Sequence, residues 1–112
     1  MKIKTLDKIV IISLDKFPSP EVIQDIKREM NSGQAKNKNL IIDLLAVNII
    51  NIEEVLKFQE LSTEHTKNKC SLVIVTNNVN HNEVPENLHI TPTILEAKDL
   101  IEMEEIERDL GF

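Results

Sequence analysis

The chain has 112 residues, 41% of them hydrophobic, and a formal net charge of −6. This length predicts one domain with a core large enough to fold without disulfides, and the single cysteine, Cys70, excludes an internal disulfide bond. No segment resembles a secretory leader or a long apolar span, so we expect a cytoplasmic protein that does not enter a membrane. With three phenylalanines and no tryptophan or tyrosine, few side chains are available to stack on bases.

Negative charge is concentrated near the end of the chain. From Glu96 to Asp109 there are seven acidic and two basic residues, whereas the rest of the chain has 12 acidic and 11 basic residues. An acidic helix repels phosphate backbones, so we expect no direct binding of nucleic acid.

Apolar, β-branched runs predict five strands, at residues 1–5, 9–14, 40–45, 71–76 and 88–90. The first two form an opening hairpin. The third and fourth are apolar on both faces, which suits strands covered by helices.

Three helices are expected between and after these strands. The first starts at Ser19 and ends at Gly33, which we expect to be a left-handed stop. The second runs from about residue 52 to 67 with Asn51 as its cap, and the third starts at Thr93 with Glu96 in capping-box spacing. The order β-β-α-β-α-β-β-α predicts an α/β fold with one mixed, mostly parallel sheet and right-handed crossovers.

Two segments of this pattern carry a resemblance to a known family. Residues 42–47 read Ile-Asp-Leu-Leu-Ala-Val, and residues 90–97 read Ile-Thr-Pro-Thr-Ile-Leu-Glu-Ala. Both are similar to segments of the STAS domain, the fold of bacterial anti-sigma factor antagonists, and the overall pattern matches over roughly residues 3–101. The resemblance implies a single STAS-like domain over residues 1–112 that regulates other proteins by binding them.

The junction after the third strand departs from the STAS pattern. Where that family has Asp-Ser-Ser-Gly, this chain has Asn51-Ile52-Glu53-Glu54, so the phosphoacceptor serine is replaced by Glu53. A carboxylate is permanently charged and imitates only part of a phosphate, which brings roughly −1.5 to −2 charge and three acceptor oxygens. The sequence therefore predicts a module without the phosphate switch.

The ending of the chain, residues 97–112, carries a second resemblance. It is similar to the ending of a group of small bacterial proteins labelled ribonuclease Z. A zinc phosphodiesterase of that class needs a His-x-His-x-Asp-His cluster, whereas this chain has only His65, His81 and His89, none in that spacing. The alternative function is therefore an accessory protein that associates with ribonuclease Z in tRNA 3′-end processing and has no nuclease activity of its own.

Three other groups have a chemical and a structural interpretation. Glu53 and Glu54 are an acid/base pair or, as we favour, dipole partners in a first helical turn. The segment 81–83, His-Asn-Glu, binds metal together with His89 or is an exposed loop, and its spacing fits no standard zinc site. Cys70 is either activated by Lys67 and Lys69 or a structural cysteine. We predict no catalytic residue, metal or cofactor.

The partner-binding residues are expected on the junction, the second helix and the acidic segment 102–112. Apolar residues of the second helix spread over more than half its circumference, so either one edge, Leu56 or Leu61, is exposed or neighbouring elements cover all of it. The acidic segment is either a projecting recognition helix or a frayed end. The predicted residues are Asn48, Asn51, Ile52, Glu53, Glu54, Leu56, Leu61, Ile106 and Phe112. The sequence thus predicts a non-enzymatic interaction module with an unknown protein partner, itself a monomer or a weak dimer through the edge at residues 1–5.

Overall fold

A five-stranded sheet forms the centre of the molecule. A computed structural model of the chain describes residues 1–48, 51–79 and 81–111, and of residue 81 it describes the backbone only. Within the sheet the strands follow their sequence order, with β1 antiparallel to β2 and all other neighbours parallel. The strands are β1 Lys2–Thr5, β2 Ile9–Ser13, β3 Asn39–Asp43, β4 Leu72–Val75 and β5 His89–Thr91. The predicted α/β fold with a mixed, mostly parallel sheet is confirmed.

Helices follow β2, β3 and β5, in the predicted order. The segment predicted as one helix over residues 52–67 keeps these bounds but contains a 3₁₀ turn in its middle. None of the helices in the described ranges has the length and hydrophobicity required to cross a bilayer. The helices are α1 Pro20–Asn31, α2 Ile52–Val55, α3 Gln59–Lys67 and α4 Ile94–Asp109, and the 3₁₀ turns are Leu56–Phe58 and His81–Glu83.

Side-chain caps fix the helix starts where the sequence predicts them. The hydroxyl of Ser19 accepts a hydrogen bond from the Val22 amide at 3.3 Å. The hydroxyl of Thr93 accepts from the Glu96 amide at 3.1 Å and donates to the Glu96 carboxylate at 2.9 Å, so Glu96 pairs with the side chain of the cap residue. Each cap satisfies backbone groups that the first helical turn leaves without partners.

Gly33 ends α1 for a different reason from the predicted one. Its φ is not positive, whereas Asn37 and Lys69 have φ of 61° and 62°. A Cβ at position 33 would lie 2.8 Å from the Cα of Glu29, closer than real Cβ contacts. The prediction of a left-handed stop at Gly33 is therefore wrong, and glycine is required there because the helix backbone passes too close for a side chain.

The two faces of the sheet bury two separate cores. In β3, Leu40 and Ile42 belong to the core beneath α1 and the α2–α3 segment, whereas Ile41 belongs to the core beneath α4. This alternation follows from the two-residue period of a strand. The second core is small, and α4 contributes Ala97 and Ile101 as its buried residues. Helices on both faces explain why the central strands are apolar throughout.

Candidate functional site

The loop between β3 and α2 leaves the carboxyl end of the sheet with exposed polar residues. Asn48 and Asn51 are both exposed, and residues 49–50 lie outside the described ranges. The side-chain amide of Asn78, in the loop after β4, donates to the carbonyl of Val47 at 3.2 Å. This bond ties together the loops that follow two neighbouring strands, which positions the junction.

Asn51 is the N-cap of α2, as predicted, and its side chain bonds to both the amide and the carboxylate of Glu54. The Asn51 side-chain oxygen accepts from the Glu54 amide at 3.0 Å, and its side-chain nitrogen donates to the Glu54 carboxylate at 3.4 Å. Glu53, in contrast, is exposed at the position corresponding to the phosphoacceptor in the STAS resemblance. Glu54 is engaged by the cap, and the two carboxylates point in different directions, about 100° apart on the helix. The arrangement favours the dipole role over an acid/base pair.

The α2–α3 segment exposes less apolar surface than its sequence suggests. Ile52 and Leu56 are half-buried, whereas Leu61 is 2% exposed. Leu61 belongs to the same core as Val55 and Phe58 because α3 packs on the sheet through this side. The prediction that Leu61 is an exposed edge residue is wrong, and it is a core residue.

The exposed apolar residues of the described chain are concentrated on α4 and its C-terminal cap residue, Leu110. Leu95, Met103, Ile106 and Leu110 are 70%, 58%, 53% and 66% exposed. At 100° per residue their side chains fall within an arc of about 80°. This arc lies on the side of α4 opposite the buried Ala97, so the four residues form a stripe that faces away from the protein. We call these four residues the α4 stripe.

Acidic side chains line the α4 stripe. Glu104 and Glu105 are half-buried and bonded within the protein. The other five acidic residues of the helix are exposed, so the stripe lies within a negative surface. The five are Glu96, Asp99, Glu102, Glu107 and Asp109. At 100° per residue, Asp99 falls inside the arc of the stripe, between Leu95 and Met103, and the other four lie beside it.

The second half of α4 is anchored to the sheet and is neither frayed nor projecting. Arg108 donates to the hydroxyl of Ser71 at 3.1 Å and to the side-chain oxygen of Asn39 at 3.4 Å. The Asn39 amide in turn donates to the Glu105 carboxylate. Asn39 and Ser71 are buried at the amino ends of β3 and β4, and the Ser71 amide donates to Asn39 at 2.8 Å. The interpretation of residues 102–112 as a frayed end is therefore wrong over residues 102–109. The helix also packs on the sheet and does not project from it, whereas its role in recognition stays a prediction. Phe112 lies outside the described residues.

His89 and Glu104 form an ion pair between β5 and α4. The Nδ1 atom of His89 lies 2.9 Å from Oε2 of Glu104. This hydrogen bond raises the pKa of His89 against the opposing effect of burial. Burial raises the pKa of Glu104, but hydrogen bonds from His89 and Ser71 outweigh it, and the net pKa is lowered. The contact therefore favours an imidazolium paired with a carboxylate.

Cys70 and His65 are buried groups with suppressed charge. Burial raises the pKa of the Cys70 thiol, and Arg108 opposes this shift without reversing it. Burial also lowers the pKa of His65, whose Nε2 lies 2.6 Å from the carbonyl oxygen of Lys38. The sequence interpretation in which Lys67 and Lys69 activate the thiol is wrong, because desolvation dominates at this position.

The structure describes only part of the group that was considered for a metal site. In the part of the chain with described coordinates, no group of three histidine, cysteine or acidic side chains is arranged to hold a metal ion. His89 is paired with Glu104, and the side chain of His81 lies outside the description.

The predicted partner-binding residues do not form one surface. Glu53 and Leu56 belong to the segment on one face of the sheet, and Ile106 belongs to the helix on the other. Sequence reasoning identified Ile106 but missed Leu95 and its alignment with Ile106. The signal that identifies the stripe is helical spacing: residues 95 and 106 are 11 positions apart, close to three turns.

A scan against protein-family models finds no match to this chain, and a search of the curated proteins finds none either.

Proposed function

We propose that the protein is a non-enzymatic, STAS-like interaction module that binds a partner protein through the α4 stripe. The observation that carries this proposal is the concentration of exposed apolar side chains on one line of one helix. Single exposed apolar residues are ordinary, whereas an aligned set bordered by polar groups marks an interaction surface. Binding of a partner helix or groove removes such a stripe from water.

The charge around the stripe defines the chemistry of the partner. Four exposed carboxylates border the four apolar side chains and a fifth, that of Asp99, lies among them, whereas Lys98 and Arg108 are the two basic residues of α4. A complementary surface has apolar groups in its centre and lysine or arginine at its rim. We therefore propose a basic, amphipathic segment of another protein as the occupant of the stripe.

The same charges disfavour two other occupants. Two copies of α4 packed along their stripes would bring acidic rims together, and like charges across an interface cost several kcal/mol. Nucleic acid is repelled by the same acidic surface. The edge strand β1 remains a separate route to a weak dimer, because none of the described strands pairs with its outer side.

The junction at Asn48–Glu54 is the second surface of the proposed module. Glu53 is exposed and carries a fixed charge where the resemblance places a switchable serine, so we propose binding that is independent of phosphorylation at this position. Glu53→Lys and Leu56→Ala test whether the junction takes part in binding. The association with ribonuclease Z rests on the resemblance alone, and no contact described above favours it over the first function.

Point variants test the proposal better than deletion of the acidic segment. A chain ending at residue 101 would lose Glu104, Glu105 and Arg108, and with them the anchors of α4. The double variant Ile106→Ser/Leu110→Ser removes half of the stripe from exposed positions. Leu45→Ser is the matched control, because Leu45 is 41% exposed and lies outside α4.

The experiment compares capture by the tagged full chain, the stripe variant and the control from a bacterial lysate. A captured protein is then purified, and its affinity for each variant is measured directly at low and high salt. We expect the stripe variant to bind about 30- to 150-fold more weakly, since two buried aliphatic side chains contribute about 2–3 kcal/mol. We expect high salt to weaken binding to the wild type and the control alike. Equal affinity of the stripe variant would refute the α4 surface, whereas loss of binding only with Glu53→Lys would move the site to the junction.

A further inference from the structure

A surface cavity of about 340 Å³ lies away from the α4 stripe, on the inner side of α4. It is bounded by α3, by the loop before β5, and by residues of β5 and α4. We call it the α3–β5 cavity. Its polar lining includes Ser62, Thr66, Lys67, Asn87, His89 and Glu104. A cavity of this size accommodates a small molecule.

Ser62 contributes a hydroxyl to the lining of the cavity. The residue is 4% exposed, but its hydroxyl is not among the buried side-chain atoms that lack a partner, so solvent reaches it through the cavity. None of the hydrogen bonds found between described residues involves this hydroxyl, which leaves it free to donate to an acceptor bound in the cavity.

The other polar groups of the cavity add further free donors. The Asn87 side-chain oxygen accepts from Gln59 at 3.0 Å, which leaves the amide hydrogens of Asn87 for another acceptor. His89 uses Nδ1 for Glu104, which leaves Nε2. Lys67 makes no ion pair with any residue in the described ranges. Hydroxyl, amide, imidazole and ammonium donors therefore meet at one cavity.

The charge of the cavity favours a negative ligand. Glu104 is its one acidic lining residue, and that carboxylate is already hydrogen-bonded by His89 and Ser71. The neighbouring Glu64 of α3 is engaged by Lys27 at 3.5 Å. The ammonium group of Lys67 is left without a counter-ion, and a bound oxyanion supplies one.

We propose that the α3–β5 cavity binds the oxyanion group, phosphate or carboxylate, of a small molecule through Ser62, Lys67, Asn87 and His89. Such charge-assisted hydrogen bonds are the strong class of polar contact. Leu72, also part of the lining, provides apolar surface for the organic part of the ligand. This site is independent of the α4 stripe and of the partner proposed for it.

The test is a titration of the full-length, isotope-labelled protein with sodium phosphate or sodium acetate, followed by amide NMR spectra. Sodium chloride at equal ionic strength is the reference. Lys67→Gln is the test variant, and Lys36→Gln is the matched control, because Lys36 is exposed and lies outside the cavity. Both lysines are on the surface, so neither substitution threatens the fold.

We expect saturable shifts confined to residues 62–67 and 87–89, with binding about tenfold weaker in Lys67→Gln and within about twofold of wild type in Lys36→Gln. Saturation by phosphate alone identifies a phosphate ligand, and saturation by acetate alone identifies a carboxylate. Shifts that chloride reproduces, shifts that do not saturate, or equal binding by Lys67→Gln overturn the proposal.

Discussion

The small core beneath α4 makes Ile101 the residue on which the position of the stripe depends. Ile101 is 1% exposed and belongs to the core on the α4 face of the sheet. Ile101→Ala removes three carbon groups, each contributing about 0.8 kcal/mol on burial, so the transfer loss alone is about 2.4 kcal/mol. The cavity left behind raises the expected loss of unfolding free energy to about 3 kcal/mol.

Ile106 is the matched position on the outer side of the same helix. It is 53% exposed, so Ile106→Ala removes little buried area, and alanine is also the better helix former. We expect the unfolding free energy of this variant to stay within about 0.5 kcal/mol of wild type. The pair therefore separates the packing of α4 from the role proposed for its stripe.

Urea unfolding followed by far-UV circular dichroism measures both changes, since the chain has no tryptophan or tyrosine for fluorescence. A loss below about 1 kcal/mol for Ile101→Ala would show that α4 does not pack on the sheet as described. An equal loss for both variants would refute the assignment of Ile106 to the solvent-facing side.

Three further predictions concern single contacts, each measured by urea unfolding. The pKa of His89 is raised above 6.5, mainly by its hydrogen bond to Glu104, so the pair's stabilisation is complete below pH 6.5 and is lost as pH rises through the raised pKa. His89→Gln should therefore cost more stability at about pH 5.5 than at about pH 9, and an equal cost at both would contradict the ion pair. Gly33→Ala should lower the free energy of unfolding by about 1–3 kcal/mol because the new Cβ would lie 2.8 Å from the Cα of Glu29. An unchanged free energy would show that the end of α1 shifts to make room for the Cβ. Lys69→Gly should stabilise by up to about 1 kcal/mol because φ at this residue is 62°, and a loss would show that its side chain contributes more than the strain costs.

Local sequence was enough to predict most of the fold. Apolar β-branched runs gave the five strands, and the capping residues Ser19, Asn51 and Thr93 gave the helix starts, because both signals act over a few residues. Crossover geometry then required parallel pairing of the strands separated by helices. The exposed position of Glu53 in a first helical turn also followed from its place beside the cap.

The sequence misled where the packing around a residue, and not its type or spacing, decides its role. A glycine after a helix is typical of a left-handed stop, but glycine is needed at position 33 because the backbone of Glu29 lies too close for a Cβ. Leu61 has the spacing of an edge residue, but the 3₁₀ turn and the packing of α3 place it in the core. The high acidic charge of residues 102–109 is typical of a frayed helix end. Asn39, about 70 positions away, nevertheless accepts a hydrogen bond from Arg108 and helps to hold it against the sheet.

The candidate sites divide in the same way. The acidic charge of α4 and the spacing of Leu95 and Ile106 can be read from the sequence. Which side of the helix faces solvent depends on the packing of Ile101 in the core on that face of the sheet. The α3–β5 cavity is entirely a product of tertiary structure, since Ser62 and His89 come from a helix and a strand that meet only in the fold. Local propensity and hydrophobic period thus determined the elements, and packing between distant segments decided which surfaces they leave for binding.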